Sequence, residues 1–565
     1  MDRNFLLAFL LSTLVIVGYY SFFPPEDPQP IKQALEATSD TAPLASVTAA
    51  PVGEMAPVPA ETPAPAPLAE AKLVTIDGPL YTAVVDTHGG VLRSMKLKQY
   101  RYAGPDQKPA HNWVYHLFQD KGEEQHFDPE RLVEMVGHQS PNNRVWEFRP
   151  SGQKAEGEVV FTADVESIQL KDAPASLTLS AVLPTGLKLF KKITFDPTGY
   201  RIGLSYALEN PTDQIAQLSP TFNFGAGNEP VEPDQFNQPT HAGVYEEGAF
   251  ETYDDDDFET PLEIKQLTWA SVMDTYFISV FRPQGDDKFS AKFEGIGGKF
   301  KDNDILVPQM SYQEAAFELR SGQRYTKGFD LYIGPKEQER LEGYAMSLPA
   351  SMDLGWFSFL AYPMLAVLRW LQGYVHNWGV AIILLTFIVR ALLFPLAYKG
   401  MRSMRRMAQL NPRMKYLRDK YKKDKDRLNR EIMELYKKNK VNPLGGCLPL
   451  LAQVPVFIAL YSALMPAIEL RHQPFALWMT NLSSSDYTLI LPILMGATMF
   501  IQQHLTPQPA MEPTQAMMMK WMPVLLVFFF LDMPSGLVLY WVVSNVVTVF
   551  QQMLFNRIKE AEVQH

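Results

Sequence analysis

Hydrophobic and polar positions follow two rhythms along this chain. Between residues 72 and 334 they alternate: Tyr200, Ile202, Leu204, Tyr206 and Leu208 are separated by Arg201, Gly203, Ser205 and Ala207, and Leu177, Leu179, Ala181 and Leu183 repeat the pattern. Successive side chains of a strand point to opposite faces, so a period of two predicts half-buried strands. His88-Gly89-Gly90, Asp196-Pro197 and Asn210-Pro211 supply turns. Many short strands without long helical stretches predict an all-β sandwich over 72–334.

The second rhythm is a set of continuous apolar runs. A helix needs about 20 apolar residues to cross a hydrocarbon core, and runs approaching that length cover 5–23, 378–398, 444–464, 487–504, 516–531 and 536–555. These predict six spans. The first reads as an uncleaved signal anchor, because Arg3 precedes it and no small-residue cleavage pattern comes before Pro24-Pro25. Residues 356–375 are also apolar, but a crossing there would force the next span to return almost at once and export a basic loop. Pro363, Arg369 and Gln372, with Trp and Tyr near the ends, predict an interfacial helix on the outer surface instead.

Charge orients this scheme. The net charge of −11 averages opposite regions, for 399–440 holds sixteen Lys and Arg against five Asp and Glu. Such a bias places this loop and both termini in the cytoplasm, and Arg557 and Lys559 agree. Within the loop Met404, Met407, Leu410, Met414, Leu417 and Tyr421, then Leu428, Ile432 and Leu435, recur at three and four residues. Asn411-Pro412 disturbs the first pattern and residues 422–426 separate it from the second, which predicts a charged helical hairpin able to bind anionic lipid. Residues 24–71, rich in Pro, Ala, Thr and Glu, offer too little apolar surface to offset ordering entropy and are expected to be a disordered tether. The single cysteine, Cys447, excludes an intrachain disulfide and is expected to be buried.

Polar residues inside the runs are few: Thr386, Arg390, Gln453, Thr498, Gln502, Ser544, Asn545 and Thr548. An arginine near mid-bilayer costs about 2.5 to 3.5 kcal/mol, so Arg390 needs a polar destination. Two remain open: its long stem carries the guanidinium to the headgroups, or a buried hydrated site receives it, with Thr386 one turn earlier on the same face. Likewise the polar set either converges around Arg390 or forms separate interhelical hydrogen bonds. Pro449 and Pro455 interrupt 444–464 and free carbonyls that neighbours or water must satisfy. Elsewhere, the acidic run 254–257 lacks the spacing and turn glycine of a calcium loop, and His88, His111, His116, His126 and His241 are scattered without ligand spacing. No G-x-x-x-x-G-K-[ST] loop occurs, and no metal or other cofactor is expected.

Four segments carry a resemblance: NPLGGCLPLLAQVPVFIALY (442–461), FALWMTNLSSSD (475–486), LPILMGATMF (491–500) and PSGLVLYWVVSN (534–545) are similar to the YidC family of membrane protein insertases in its Gram-negative form. Over the whole chain it implies an α-helical membrane protein with a periplasmic all-β sandwich, in the bacterial inner membrane. The expected parts are a signal-anchor span at 1–23, a periplasmic linker at 24–71, the sandwich at 72–334, and a linker with the interfacial helix at 335–377. A five-span core follows at 378–555, with its cytoplasmic hairpin at 399–440, and a short tail at 556–565. The resemblance implies a hydrophilic groove open to the cytoplasm and the bilayer and closed to the periplasm, with Arg390 as its arginine and Thr386 nearby; Gln453, Ser544, Asn545 and Trp541 are expected to line it. A client's transmembrane segment is expected to slide along Val454, Pro455, Phe457 and Phe529. Relatives often carry two adjacent tyrosines in the last span; here the pair is Tyr540-Trp541, so one hydroxyl is absent.

The implied function is to insert and help fold inner-membrane proteins without nucleotide hydrolysis, as a chaperone-like insertase and not an enzyme, alone or with the Sec translocon. Expected partners are nascent inner-membrane proteins, Sec components, anionic lipids and, through the basic hairpin, the ribosome; the short tail speaks against tail-mediated ribosome docking, and no nucleic-acid sequence recognition is expected. Two rivals stand beside this. A small-solute anion transporter would use the same arginine, but the internal repeats that would favour it are not seen. An envelope enzyme acting on saccharide would need paired carboxylates or a His/Asp set in 72–334, and none stands out.

Overall fold

The computed structural model describes residues 72–102, 131–136, 145–150, 159–226, 240–285, 288–300, 303–344, 347–422, 424–439, 441, 448–507 and 513–563. The expected anchor and tether, Cys447, His111, His116, His126 and the last two residues of the tail lie outside them. One body comprises Leu68–Met511 and Met519–His565; of the other unit only 513–518 are described.

The alternating segment around Ile202 is a strand, Arg201–Glu209, flanked antiparallel by Lys188–Phe195 and Arg324–Pro335. Ile202, Leu204, Tyr206 and Leu208 are buried, and so is Ala207 on the other face. This strand sits inside a large sheet that runs from Glu147–Arg149 at one edge to Thr162–Ala163 at the other. A five-stranded sheet containing Tyr81–Asp86 packs against it, with the Tyr81 ring 6.5 Å from Phe195 and 6.2 Å from Tyr200. Phe222, Phe224, Phe281 and Phe329 cluster in the core, each burial stabilising by about 1.5 to 3 kcal/mol. Alternation alone does not foretell Lys191, which lies on the inward face of Lys188–Phe195. Its ammonium donates to the Trp146 carbonyl at 2.8 Å and to that of Gly90, and burial pushes the amine well below its ordinary range. The acidic run closes a turn, the Asp257 carboxylate accepting from the Asp254 N–H at 3.0 Å.

After the sheets the described chain is helical: α1 (Gln338–Glu342), α2 (Ser358–Val375), α3 (Trp378–Gln409), α4 (Asn411–Lys420), α5 (Lys425–Lys438), α6 (Leu448–Leu464), α7 (Ile490–Leu505), α8 (Pro513–Phe529) and α9 (Ser535–Val563). α3 continues past residue 398 and through Pro395 to Gln409, so the first arm of the hairpin begins as an extension of the apolar helix. Asn411-Pro412 then opens α4, because proline in a first turn sacrifices no helical hydrogen bond. Met407, Leu410 and Met414 meet Tyr436 and Val441 in a core of their own, with the Tyr436 hydroxyl 3.1 Å from the Met414 Sδ.

α2 buries Ala361, Met364, Leu365, Leu368 and Leu371 toward α3 and α6, and exposes Phe359, Tyr362, Trp370 and Tyr374. Among the described residues, Trp378–Gln409 and Ser535–Arg557 are long and apolar enough to cross a membrane; Ala452–Leu464, Ile490–Leu505 and Met517–Phe529 are shorter apolar segments. Their inner faces bury Leu385, Leu460, Met495 and Val538, whereas Phe387, Leu392, Ile493, Leu525 and Phe550 are bare. Apolar surface of that extent calls for a non-aqueous neighbour.

Candidate functional site

The position of α3 is set at its start. Asn377 caps it by accepting from the Val380 N–H at 3.1 Å, and its amide donates to the Phe475 carbonyl at 3.0 Å. Gly379 lets the Phe475 ring close in, for a Cβ there would lie 2.2 Å from it. Eleven residues on from Gly379, about 16 Å along the helix, Arg390 turns inward. Its Nε donates to Ser544 Oγ of α9 at 2.7 Å, and its Nη2 to the same hydroxyl and to Gln453 Oε1 of α6 at 3.3 Å. Gln453 Nε2 closes the cluster on Ser544 Oγ at 3.4 Å. The half-buried guanidinium ties three helices together, and its stem is not spent on reaching the surface. Among the described residues no carboxylate pairs with it and Nη1 has no protein acceptor. A cation held only by neutral dipoles in a low-dielectric wall attracts whatever anionic group can reach it.

The remaining expected residues divide. Thr386 is fully buried, but its hydroxyl donates to the Ile382 carbonyl at 2.7 Å, a back-bond within α3. Asn545 donates to Thr498 Oγ1 at 3.2 Å, and one helix stretch further Gln552 donates to the Leu505 carbonyl at 3.1 Å. These belong to a separate seam between α7 and α9, so each of the two arrangements left open by the sequence describes part of the polar set. Trp541 is edge-on to Phe457 at 4.8 Å and 5.0 Å from Phe530, which in turn lies 5.5 Å from Phe529. Phe457 and Pro455 are half-buried, and Val454 and Phe529 are exposed. Tyr540, which the sequence marks only as half of an aromatic pair, is buried on α9 one turn before Ser544. Only the packing of α9 on α3 reveals that.

At the opposite end from the hairpin, the chain between α6 and α7 folds over the helix termini. Ser535 and Gly536 N–H groups donate to the Ser484 and Leu482 carbonyls at 2.7 and 2.8 Å, and buried Asp486 accepts from Thr488 and Leu491 N–H at 3.0 and 2.7 Å. The β-sheet region docks on this segment. Arg471 donates to the Tyr102 carbonyl at 2.8 Å with its guanidinium 5.7 Å above the Tyr276 ring, and Arg369 of α2 pairs with Glu469 at 2.7 Å while donating to Gln338 of α1. Burial holds the Glu469 carboxyl above its ordinary range against the pull of Arg369.

Fold and site together define a helical membrane protein with a large β-rich region ahead of its helical core. Residues 73–367 match the family model described as YidC periplasmic domain, and 370–562 the one described as 60Kd inner membrane protein. The membrane protein insertase YidC of Geobacter metallireducens is 35% identical, over 99% of this chain and 98% of the relative, and that of Syntrophus aciditrophicus is 36% identical, over 99% and 100%. A crystal structure of an active YidC insertase with its first transmembrane domain resolved aligns with a TM-score of 0.35 at 16% identity, over 85% of this chain and 94% of that one. The chain belongs to the YidC family of membrane protein insertases.

Proposed function

We propose that this insertase works through Arg390, whose charge lacks a carboxylate partner among the described residues. A client's short polar tail, acidic ones above all, enters from the hairpin side and exchanges bulk water for the Arg390, Gln453 and Ser544 cluster. Its apolar segment passes into lipid along Val454, Pro455, Phe457 and Phe529, with Trp541 backing that surface. Asn545 and Thr386 hold the helices rather than the client. The covered helix ends around 482–486 favour a cavity closed on the β-domain side. The membrane potential adds roughly 2.3 kcal/mol per negative charge per 100 mV in the outward direction.

In this reading the chain has six spans with both termini cytoplasmic and the β-domain, 72–334, in the periplasm of an inner-membrane protein. Sec components and, at the basic hairpin, ribosomes and anionic lipid are its other partners. Nothing in the cycle requires nucleotide. The test is insertion of a single-span client with a short acidic tail into vesicles bearing the purified chain. Arg390→Ala lowers the yield several-fold and Arg390→Lys restores most of it; full activity with every uncharged residue at 390 removes the electrostatic step.

A further inference from the structure

The β-sheet region and the helical core line an open cavity of about 270 Å³ where Thr252, Met273 and Thr275 meet the end of α6 at Tyr461, Ser462 and Met465. Ligand pockets generally run about 300 to 1,000 Å³, so this one suits a small group. Two hydrogen-bond donors that line it have no partner among the described residues: the Lys336 ammonium, from the β-sheet side, and the Ser462 hydroxyl, from α6. Lys336 is 4% exposed, with the Asp274 and Asp353 carboxylates near enough to favour its charged form. An ammonium on so poorly hydrated a side chain is stabilised by an anion that reaches it through the cavity.

Asp353 also lines the cavity and is exposed; one carboxylate oxygen accepts from the Gly355 N–H at 2.8 Å and the other is uncommitted. Met465 and Pro466 add an apolar margin just beyond the apolar run of α6. We propose that this cavity binds a phosphate group, that of a zwitterionic phospholipid headgroup: Lys336 and Ser462 donate to the phosphate oxygens, and Asp353 receives the headgroup ammonium. The bound lipid then fastens the β-sheet region to α6. Free phosphate shares the anionic half of this chemistry, and the experiment separates the two.

The full chain, stripped of lipid in detergent, is unfolded by heat alone, with short-chain phosphatidylethanolamine, or with inorganic phosphate. A ligand that binds only the folded form raises the midpoint. The midpoint rises with the lipid, by less in Ser462→Ala and not at all in Lys336→Met. A rise with phosphate and none with lipid keeps the site and assigns it to a free anion. No rise in the native chain with either, or an equal rise with and without Lys336, overturns the proposal. Should Lys336→Met fail to fold, the comparison of Ser462→Ala with the native chain decides in the same way.

Discussion

Arg390 and Gly379 illustrate what single residues contribute to this protein. Arg390 is recognisable in sequence because a guanidinium in an apolar run demands a partner, yet which partner depends on the helices beside it. Gly379 is silent in sequence and indispensable in space: Gly379→Ala drives a methyl group into the Phe475 ring. Overpacking of this kind costs about 1 to 3 kcal/mol, and a lowered unfolding midpoint with intact helix content checks it. Lys336 gives a pH prediction. Burial lowers its pKa from 10.5 to about 8. Between those values the unfolded chain holds a proton that the folded chain has released, so stability rises with pH across that window. The shift corresponds to a few kcal/mol at about 1.4 kcal/mol per unit. Lys336→Met therefore stabilises the lipid-free chain at neutral pH and flattens the rise, which denaturant titrations at neutral and alkaline pH will measure.

Between elements, hydrogen bonds divide labour in ways that separate variants can expose. Ser544→Ala and Asn545→Ala are neighbours on α9, yet the first unties Arg390 from α9 and the second only opens the seam to Thr498. Ser544→Ala is expected to weaken client insertion; Asn545→Ala is expected to cost about 0.6 to 2 kcal/mol of stability with insertion nearly unchanged. Asp486 accepts from the Thr488 and Leu491 N–H groups where the covering segment enters α7, so Asp486→Ala leaves them without that acceptor and costs about 1 to 3 kcal/mol, read from thermal unfolding. The helix periodicity made the hairpin legible, including the break at Asn411-Pro412. It did not announce that α3 runs on into the hairpin past Pro395 and Gly400, because helix propensity is a weak prior that tertiary packing overrides.

For the molecule as a whole, the β-sheet region and the core carry different kinds of information. Removing most of 72–334 while keeping α1 is expected to leave much of the insertion activity, because Arg390, Gln453 and Ser544 all lie outside it; the same vesicle assay checks this. The truncated chain should nonetheless unfold at lower temperature, since Arg471 loses the Tyr102 carbonyl and the Tyr276 ring that now cover it. Complete loss of insertion with a folded core would mean that the sheets take part in the work.

By itself the sequence determined the alternating strands around Ile202, the apolar runs, the basic hairpin and the presence of one costly cation among them. These follow from local periodicity and charge, which each segment carries alone. Tertiary structure decided that Ser544 and Gln453, rather than Thr386 or Asn545, receive Arg390, that Lys191 points into the sheets, and that Lys336 and Ser462 share a cavity. Those outcomes depend on which face of one element meets which face of another, and spacing along a single chain segment does not encode the angle at which two segments cross.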